Sequence, residues 1–160
     1  MASSVWNSLT CNNLFVAFAA VTGFVEKKEG QNVDYVFVVE VLWSDGRTTY
    51  VKRTYNDFEA LQRDLETFVK TEKHTFEGSN PFPRLEGRKF FRKNDRKLAE
   101  SRELELHKFV KEILLMHPQM SSSPVIVEFF EARSHDPIPP MREPLETTDF
   151  YEMDEYDAYT

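Results

Sequence analysis

The hydrophobic pattern of the chain changes from a period of two in its first third to a longer period afterwards. Residues 14–25 form a mainly apolar run, which predicts a buried strand that stops at a charged turn over residues 26–30. In residues 35–43 every second position is apolar or aromatic, which predicts a second strand. Residues 44–46 read Ser-Asp-Gly and favour a hairpin turn, and residues 48–53 return as a third strand. We therefore expect a three-stranded antiparallel meander.

Beyond the third strand the hydrophobic period lengthens to about 3.6 residues, as in an α-helix. Thr54 and Asp57 have the spacing of a capping box at the start of this first helix. A second helical stripe occupies residues 98–114, and Ser123 followed by Pro124 opens a short third helix. Strands followed by helices predict an α+β domain, with the antiparallel sheet packed against a helical subdomain.

The formal net charge of −7 is distributed unevenly over the 160 residues. Residues 137–160 hold seven acids and one base, so residues 1–136 carry a net charge of only −1. Within that nearly neutral part, residues 84–97 hold seven bases and two acids, a local balance of +5. Such a concentration of positive charge attracts phosphate groups or an anionic membrane surface.

Composition also limits the compartment and the chemistry. The lone Cys11 cannot form an intramolecular disulfide, which predicts a reducing, cytoplasmic setting. The apolar run of the first strand is too short to span a bilayer and lacks the basic lead-in of a signal peptide. The four histidines are dispersed, and the chain has neither a Gly-rich phosphate loop nor a nucleophile elbow. We expect a protein that is not an enzyme and that holds no metal or cofactor. The predicted organisation is an N-terminal extension over 1–11, a folded domain over 12–135, and a Pro-rich, then acidic, tyrosine-containing linker or tail over 136–160.

The junction between the third strand and the first helix is one candidate binding site. Lys52 and Arg53 end the strand, and Thr54 and Tyr55 begin the helix. Two bases, a hydroxyl and an aromatic ring at a helix N-terminus form a reasonable anion site, because free N–H groups and the helix dipole both favour phosphate. The sequence supports equally well an exposed strand end with Tyr55 capping the core.

A second candidate is a loop in which two aromatic rings are framed by cations. This pattern is typical of a loop whose rings enter the lipid interface while the cations meet anionic head groups. The alternative is that one ring folds into the core beneath a solvated basic loop. No RRM, KH or helix-turn-helix pattern accompanies the loop, so no nucleic-acid partner is expected. The loop residues are Arg88, Lys89, Phe90, Phe91, Arg92 and Lys93.

The segment after the folded domain contains a short proline motif. Pro137, Pro140 and Arg142 have the spacing P-x-x-P-x-R, a polyproline II ligand with a basic anchor of the kind that SH3 domains bind, in cis or in trans. Short proline motifs also recur by chance in linkers, so a plain linker is at least as well supported.

Taken together, the ordered motifs resemble the PX (phox homology) domain over about residues 12–135. They are the strand order, the K-R-T-Y-N-D-F-x-x-L element at 52–61, the Pro-containing basic loop and the F-F-E-A-R ending at 129–133. W-S-D-G followed by V-K-R-T-Y-N-D-F is most similar to the NADPH-oxidase organiser subunits. G-R-K-F-F-R-K and F-F-E-A-R before a Pro-rich stretch are similar to the Tks podosome adaptors. Both groups are scaffolds in which SH3 domains follow the PX domain.

The resemblance implies that a phosphoinositide head group lies between the strand–helix junction, the basic loop and the second helix. Tyr55 matches the family's ring-stacking aromatic residue, Arg88 its base for the glycerol-linked phosphate, and Arg102 its helix base that bonds inositol hydroxyls. The chain departs from the family at Thr54, where an arginine for the 3-phosphate is usual. The two bases directly before Thr54 are the nearest substitutes, and a preference for 3-phosphorylated lipid is not predicted.

The expected function is a phosphoinositide-binding, membrane-targeting module of an organiser or adaptor scaffold, in a superoxide-generating NADPH oxidase or a podosome system. The expected protein is monomeric, cytoplasmic and peripherally bound to the plasma membrane or endosome. The alternative is a protein-interaction adaptor that engages an SH3 domain through residues 137–142, with lipid contact incidental.

Overall fold

Three antiparallel strands form the predicted meander. The computed structural model describes residues 14–87 and 93–136. In it, β1 spans Val16–Glu29, β2 spans Asn32–Trp43 and β3 spans Thr48–Thr54, in the order β1-β2-β3. Gly46 closes the tight β2–β3 turn with φ of 91°, a conformation that glycine adopts without strain. The three-stranded sheet confirms the meander that the sequence predicts.

The β1–β2 hairpin is longer than the sequence indicates. The pairing continues to Glu29 opposite Asn32, so the predicted turn over residues 26–30 is wrong and the chain reverses only at Gly30 and Gln31. Residues 26–29 are exposed, and backbone pairing between strands does not require a buried face. A charged, solvated hairpin arm therefore carries no hydrophobic period from which a strand could be predicted.

Three helices cover one face of the sheet. They are α1 (Tyr55–Thr71), α2 (Arg96–Leu115) and α3 (Pro124–Phe130), with a 3-10 turn at Met120–Ser122 before α3. α2 packs on β1, and α1 packs on α3 and on the end of β3. The sheet face beneath the helices is buried and apolar, which confirms the predicted α+β arrangement. Among the described residues, no helix is long and apolar enough to cross a bilayer.

Side-chain caps fix where the second and third helices begin. The Asp95 carboxylate accepts a hydrogen bond from the Leu98 N–H at 3.0 Å, and α2 starts at the next residue. The Ser123 hydroxyl accepts from the Ile126 N–H at 3.4 Å, with Pro124 at the first helical position as predicted. Each cap satisfies an N–H that has no partner within the helix.

Arg53 lies in the interior rather than at the surface. Its side chain is 0% exposed, and its Nη1 lies 3.0 and 2.9 Å from the two carboxylate oxygens of Asp136. Its other hydrogen bonds go from Nε to the Phe129 carbonyl oxygen at 3.1 Å and from Nη2 to the Glu131 carbonyl oxygen at 2.9 Å, both at the end of α3. Nη1 also donates to the Lys52 carbonyl oxygen at 2.8 Å. A buried charge is tolerated only when it is paired and hydrogen-bonded, as here. The ion pair ties the chain after α3 to the edge of β3.

Asp136 makes further hydrogen bonds where the chain after α3 meets β3, a contact that we call the joint with Asp136. Its carboxylate also accepts hydrogen bonds from the backbone N–H groups of Lys52 and Arg133, each at 2.8 Å. Burial by itself would raise the pKa of Asp136, but these two hydrogen bonds and the pairing with Arg53 hold it below its usual value. The ionised Asp136 carboxylate therefore stabilises the folded protein at pH values above its unfolded pKa of about 3.9. This contribution is lost as the pH falls through its lower folded pKa. Asp136 packs as part of the domain, one residue past the boundary predicted at 135.

We predict that Asp136→Asn lowers the free energy of unfolding by about 3 kcal/mol, because it leaves the Arg53 charge buried without a counter-ion. Urea unfolding of the variant and of the parent protein measures the loss. The matched control is Asp45→Asn, which removes a carboxylate that pairs with Arg47 at 2.6 Å on the exposed β2–β3 turn. A far smaller loss is expected there, and equal losses at the two sites would contradict the structural role of the buried pair.

Candidate functional site

Tyr55 stands at the point where β3 becomes α1, and its aromatic ring faces α2. The residue is 5% exposed, and the Arg102 guanidinium carbon lies 4.0 Å from the ring centroid. This separation is well inside the range of a cation–π interaction. Arg102 is half-buried and makes no salt bridge within the described parts of the chain. The structure thus brings together two of the residues that the family resemblance assigns to the head-group site.

The Tyr55 hydroxyl joins three parts of the chain. It donates to Glu105 Oε1 on α2 at 2.6 Å and accepts from the Gly87 backbone N–H at 3.1 Å. The other carboxylate oxygen of Glu105 accepts from the Glu86 N–H at 2.9 Å. A single tyrosine and a single carboxylate therefore hold the end of the 81–87 segment against α1 and α2.

Burial raises the pKa of Tyr55, and the hydrogen bond to Glu105 raises it further. The phenol consequently stays protonated at physiological pH and keeps its role as donor to Glu105. Glu105 is a residue of this cluster that the sequence pattern did not predict. The available signal was its position three residues after Arg102, since residues at this spacing share a helix face.

The segment that leads to the basic loop is also tied to α1. The Leu85 N–H donates to the Gln62 side-chain oxygen at 2.7 Å, and Arg84 Nη2 lies 2.8 Å from Glu66 Oε1. Gly87 is followed in the sequence by Arg88, the first residue of the basic loop. The predicted residues Arg88, Lys89, Phe90, Phe91 and Arg92 lie outside the described residues.

The chain re-enters the described part at Lys93, which is exposed. The next residue is fixed by a hydrogen bond from the Asn94 side-chain amide to the Val33 carbonyl oxygen at 3.1 Å, near the tip of the β1–β2 hairpin. Arg96, at the start of α2, stacks over Phe24 of β1 at 5.8 Å. The described residues before the basic loop are thus held by Tyr55 and Glu105, and Asn94 after it is held by the hairpin.

The N-terminus of α1 is occupied by its own capping box. Thr54 Oγ1 accepts from the Asp57 N–H at 3.1 Å, and Asp57 Oδ2 accepts from the Thr54 N–H at 2.8 Å. This confirms the predicted cap. The Asp57 carboxylate thus lies where the sequence suggests a phosphate. It interacts favourably with the helix dipole and repels a second anion. The capping box therefore weighs against an anion at this helix N-terminus.

The strand bases do not join Tyr55 either. Arg53 is buried and fully hydrogen-bonded within the joint with Asp136, so its predicted position at the head group is wrong. Lys52 is half-buried and follows the buried Val51, so its side chain lies on the sheet face opposite the helices. Pro137, Pro140 and Arg142 of the proline motif lie outside the described residues.

Comparison with known proteins identifies the family. The PX domain family matches residues 41–133 of this chain. SH3 and PX domain-containing protein 2B of mouse and of human is 29% identical over 126 residues, which cover 74% of this chain and 13% of each relative. Mouse SH3 and PX domain-containing protein 2A is 29% identical over 123 residues, covering 72% of this chain and 10% of that protein.

The architecture is also that of a solved structure. A designed CISK-PX domain superposes with a TM-score of 0.56 at 22% identity, covering 72% of this chain and 99% of that domain. The shared fold is an α+β domain in which a three-stranded antiparallel sheet packs against helices. The chain belongs to the PX domain family, whose members are phosphoinositide-binding, membrane-targeting modules and generally not enzymes. It spans only a small part of the length of the curated relatives.

We predict that Thr54→Ala lowers the free energy of unfolding by about 1 kcal/mol and leaves binding of a soluble inositol phosphate unchanged. The reason is that the hydroxyl caps α1 and is not free to contact a ligand. Urea unfolding and isothermal titration calorimetry measure the two quantities. Thr67→Ala is the control, because that hydroxyl only bonds back to the Arg63 carbonyl oxygen inside the same helix. A loss of inositol phosphate binding in Thr54→Ala without a loss of stability would contradict the capping role.

Proposed function

We propose that this chain docks on phosphoinositide-containing membranes through the site built around Tyr55. The observation that carries the proposal is the Arg102 guanidinium stacked 4.0 Å from the Tyr55 ring, beside the Gly87 N–H from which the basic loop departs. A stacked guanidinium still presents N–H donors at its edge, and these suit phosphate and hydroxyl oxygens. Arg88 supplies the loop cation for the glycerol-linked phosphate. The membrane contact is peripheral.

Two residues of the strand–helix junction are excluded from the proposed ligand contacts. Arg53 lies in the interior, and the Thr54 hydroxyl caps α1. The cations come from α2 and the basic loop and not from the end of β3, so Arg102 and Arg88 are the residues that contact the head group. A head group recognised in this way has no strand-end cation for a phosphate, which supports a site that does not depend on the 3-phosphate. The other loop cations attract anionic lipid whatever its head group; they are Lys89, Arg92 and Lys93. The loop aromatic residues, Phe90 and Phe91, enter the lipid interface.

The proposed biological role is that of the membrane-targeting module of an organiser or adaptor scaffold. It is supported by the names of the similar proteins, which contain SH3 as well as PX domains. The motifs within residues 43–58 and 87–93 favour an NADPH-oxidase organiser or a podosome adaptor. The plasma membrane and the endosome are the proposed locations, with the protein otherwise cytoplasmic and monomeric.

A second candidate function is an SH3 ligand at Pro137, Pro140 and Arg142. The presence of SH3 domains in the relatives favours it, since such a domain can bind the motif in cis or in trans. If this were the main activity, binding to vesicles would not depend on the head group. A lipid panel therefore separates the two functions.

We predict that Arg102→Ala weakens binding to phosphoinositide vesicles on the order of tenfold, because a hydrogen-bonded charge contact is lost. Co-sedimentation with phosphatidylcholine vesicles that contain one phosphoinositide at a time measures the effect. Arg88→Ala is expected to act similarly, and more strongly at low salt, where exposed charge is less screened. The control is Lys111→Ala, which removes an exposed cation of the same helix. Equal binding by Arg102→Ala and the parent protein would contradict the proposed site.

We predict that the double variant Phe90→Ala, Phe91→Ala weakens vesicle affinity by at least about tenfold and leaves the affinity for a soluble inositol phosphate nearly unchanged. The rings gain burial only against acyl chains, whereas the head-group contacts do not involve them. Surface plasmon resonance on supported bilayers would show faster dissociation. A marked fall in the thermal unfolding midpoint of the double variant would instead assign a ring to the core.

A further inference from the structure

Glu105 is an acidic residue inside a site proposed for an anionic ligand. Among the described residues, its carboxylate pairs with no basic side chain, Arg102 included. It accepts from the Tyr55 hydroxyl at 2.6 Å and from the Glu86 N–H at 2.9 Å. A negative charge at this place lowers the electrostatic attraction for phosphate. Its presence calls for a structural reason strong enough to offset that cost.

We propose that Glu105 is a positioning residue that holds Tyr55 and the root of the basic loop in the head-group-binding arrangement without touching the ligand. The inference rests on the proposed function, since it concerns the same site. One carboxylate oxygen orients the phenol, and the other fixes the backbone at Glu86. Because the Gly87 N–H donates to the same phenol at 3.1 Å, the two amides that precede Arg88 are both held by the Tyr55–Glu105 pair.

Among the described side chains of α2, only that of Glu105 links Tyr55 to the backbone that precedes the basic loop. One of its carboxylate oxygens contacts each of the two groups. Hydrogen bonds to an ionised acceptor are roughly twice as strong as neutral ones, so a carboxylate suits two donors better than an amide does. A glutamine could accept from the phenol or from the backbone N–H, but its single carbonyl oxygen cannot reproduce both contacts in the same geometry. The ionised carboxylate, with two acceptor oxygens, is thus what both hydrogen bonds require.

A positioning role and a purely electrostatic role of Glu105 predict opposite changes in head-group affinity when the residue is replaced. If Glu105 acted only through its charge, removing it would tighten the binding of an anionic head group. If it positions Tyr55 and the loop, removing it weakens binding, because the ligand must then order groups that the parent protein holds in place. The sign of the change in affinity is therefore decisive.

The experiment compares Glu105→Ala and Glu105→Gln with the parent protein in two measurements. The first is amide hydrogen exchange by NMR in the absence of lipid, read at Glu86 and Gly87. The second is calorimetric titration with a soluble inositol polyphosphate. For Glu105→Ala we expect exchange at both amides to accelerate on the order of tenfold and affinity to fall on the order of fivefold. Glu105→Gln should lie between Glu105→Ala and the parent protein.

The matched control is Glu103→Gln, which removes the same charge from α2 at a half-buried position without a hydrogen-bonded partner among the described residues. Exchange at Glu86 and Gly87 should stay unchanged, and affinity should stay equal or increase slightly. Tyr55→Phe keeps the ring but removes the shared hydroxyl. In that background Glu105→Ala should cost less than it does in the parent protein, since part of its effect passes through Tyr55.

Unchanged or tighter binding in both Glu105 variants would overturn the inference, whether or not exchange accelerates. Failure of the proposed function has a different signature: the parent protein then shows no head-group dependence in the vesicle panel and no binding of the inositol polyphosphate, and the role given to Glu105 falls with it. If Glu105→Ala unfolds, Glu105→Gln and Tyr55→Phe decide the matter by the same two measurements.

Discussion

The buried hydroxyl of Tyr55 is the constraint on which the candidate site depends. A phenol taken out of water needs hydrogen-bond partners, and here they come from α2 and from the backbone at Gly87. Meeting this requirement draws the 81–87 segment and α2 to the end of β3. The same contacts place Arg102 over the ring and set the point from which the basic loop leaves. The hydrogen bonds of one buried hydroxyl thus hold the β3–α1 junction, the 81–87 segment and α2 together.

A second polar joint closes the opposite side of the same junction. Arg53 and Asp136 lie within 2.9 Å of each other in the interior, and they bind the end of α3 to β3. Thr54 lies between the two joints and caps α1. Arg53, Thr54 and Tyr55 therefore have three different roles although they are consecutive. Only Tyr55 contributes directly to the proposed binding site, while its two predecessors stabilise the frame that holds it.

Much of the fold was predictable because it follows from hydrophobic period and local capping chemistry. The meander, the α1 capping box at Thr54 and Asp57, and the start of α3 at Pro124 are all local signals. The length of β1 was not predictable, since its charged end pairs without burying a face. The interior position of Arg53 depends on Asp136, a residue 83 positions away. No local pattern carries that information, and arginines are mostly exposed.

For the candidate site, the resemblance to the family selected Tyr55 and Arg102, and the structure places them in contact. Strand position alone led to the assignment of Arg53 to the ligand, because the sequence does not show which side chains of a strand end will meet a later segment. Glu105 was missed for a related reason. An acid near a proposed anion site reads as unfavourable until its two hydrogen-bond donors are known, and both come from residues remote in sequence.

In the proposed site the head group is recognised between Tyr55, Gly87 and Arg102, and not at the end of β3. Amide chemical-shift mapping during titration with a soluble inositol polyphosphate tests it most directly. We expect the largest chemical-shift changes at residues 86–88 and around Arg102, with Lys52 and Arg53 little affected. Shifts centred on Lys52, Arg53 and the first turn of α1, with none at Gly87 or Arg102, would contradict it.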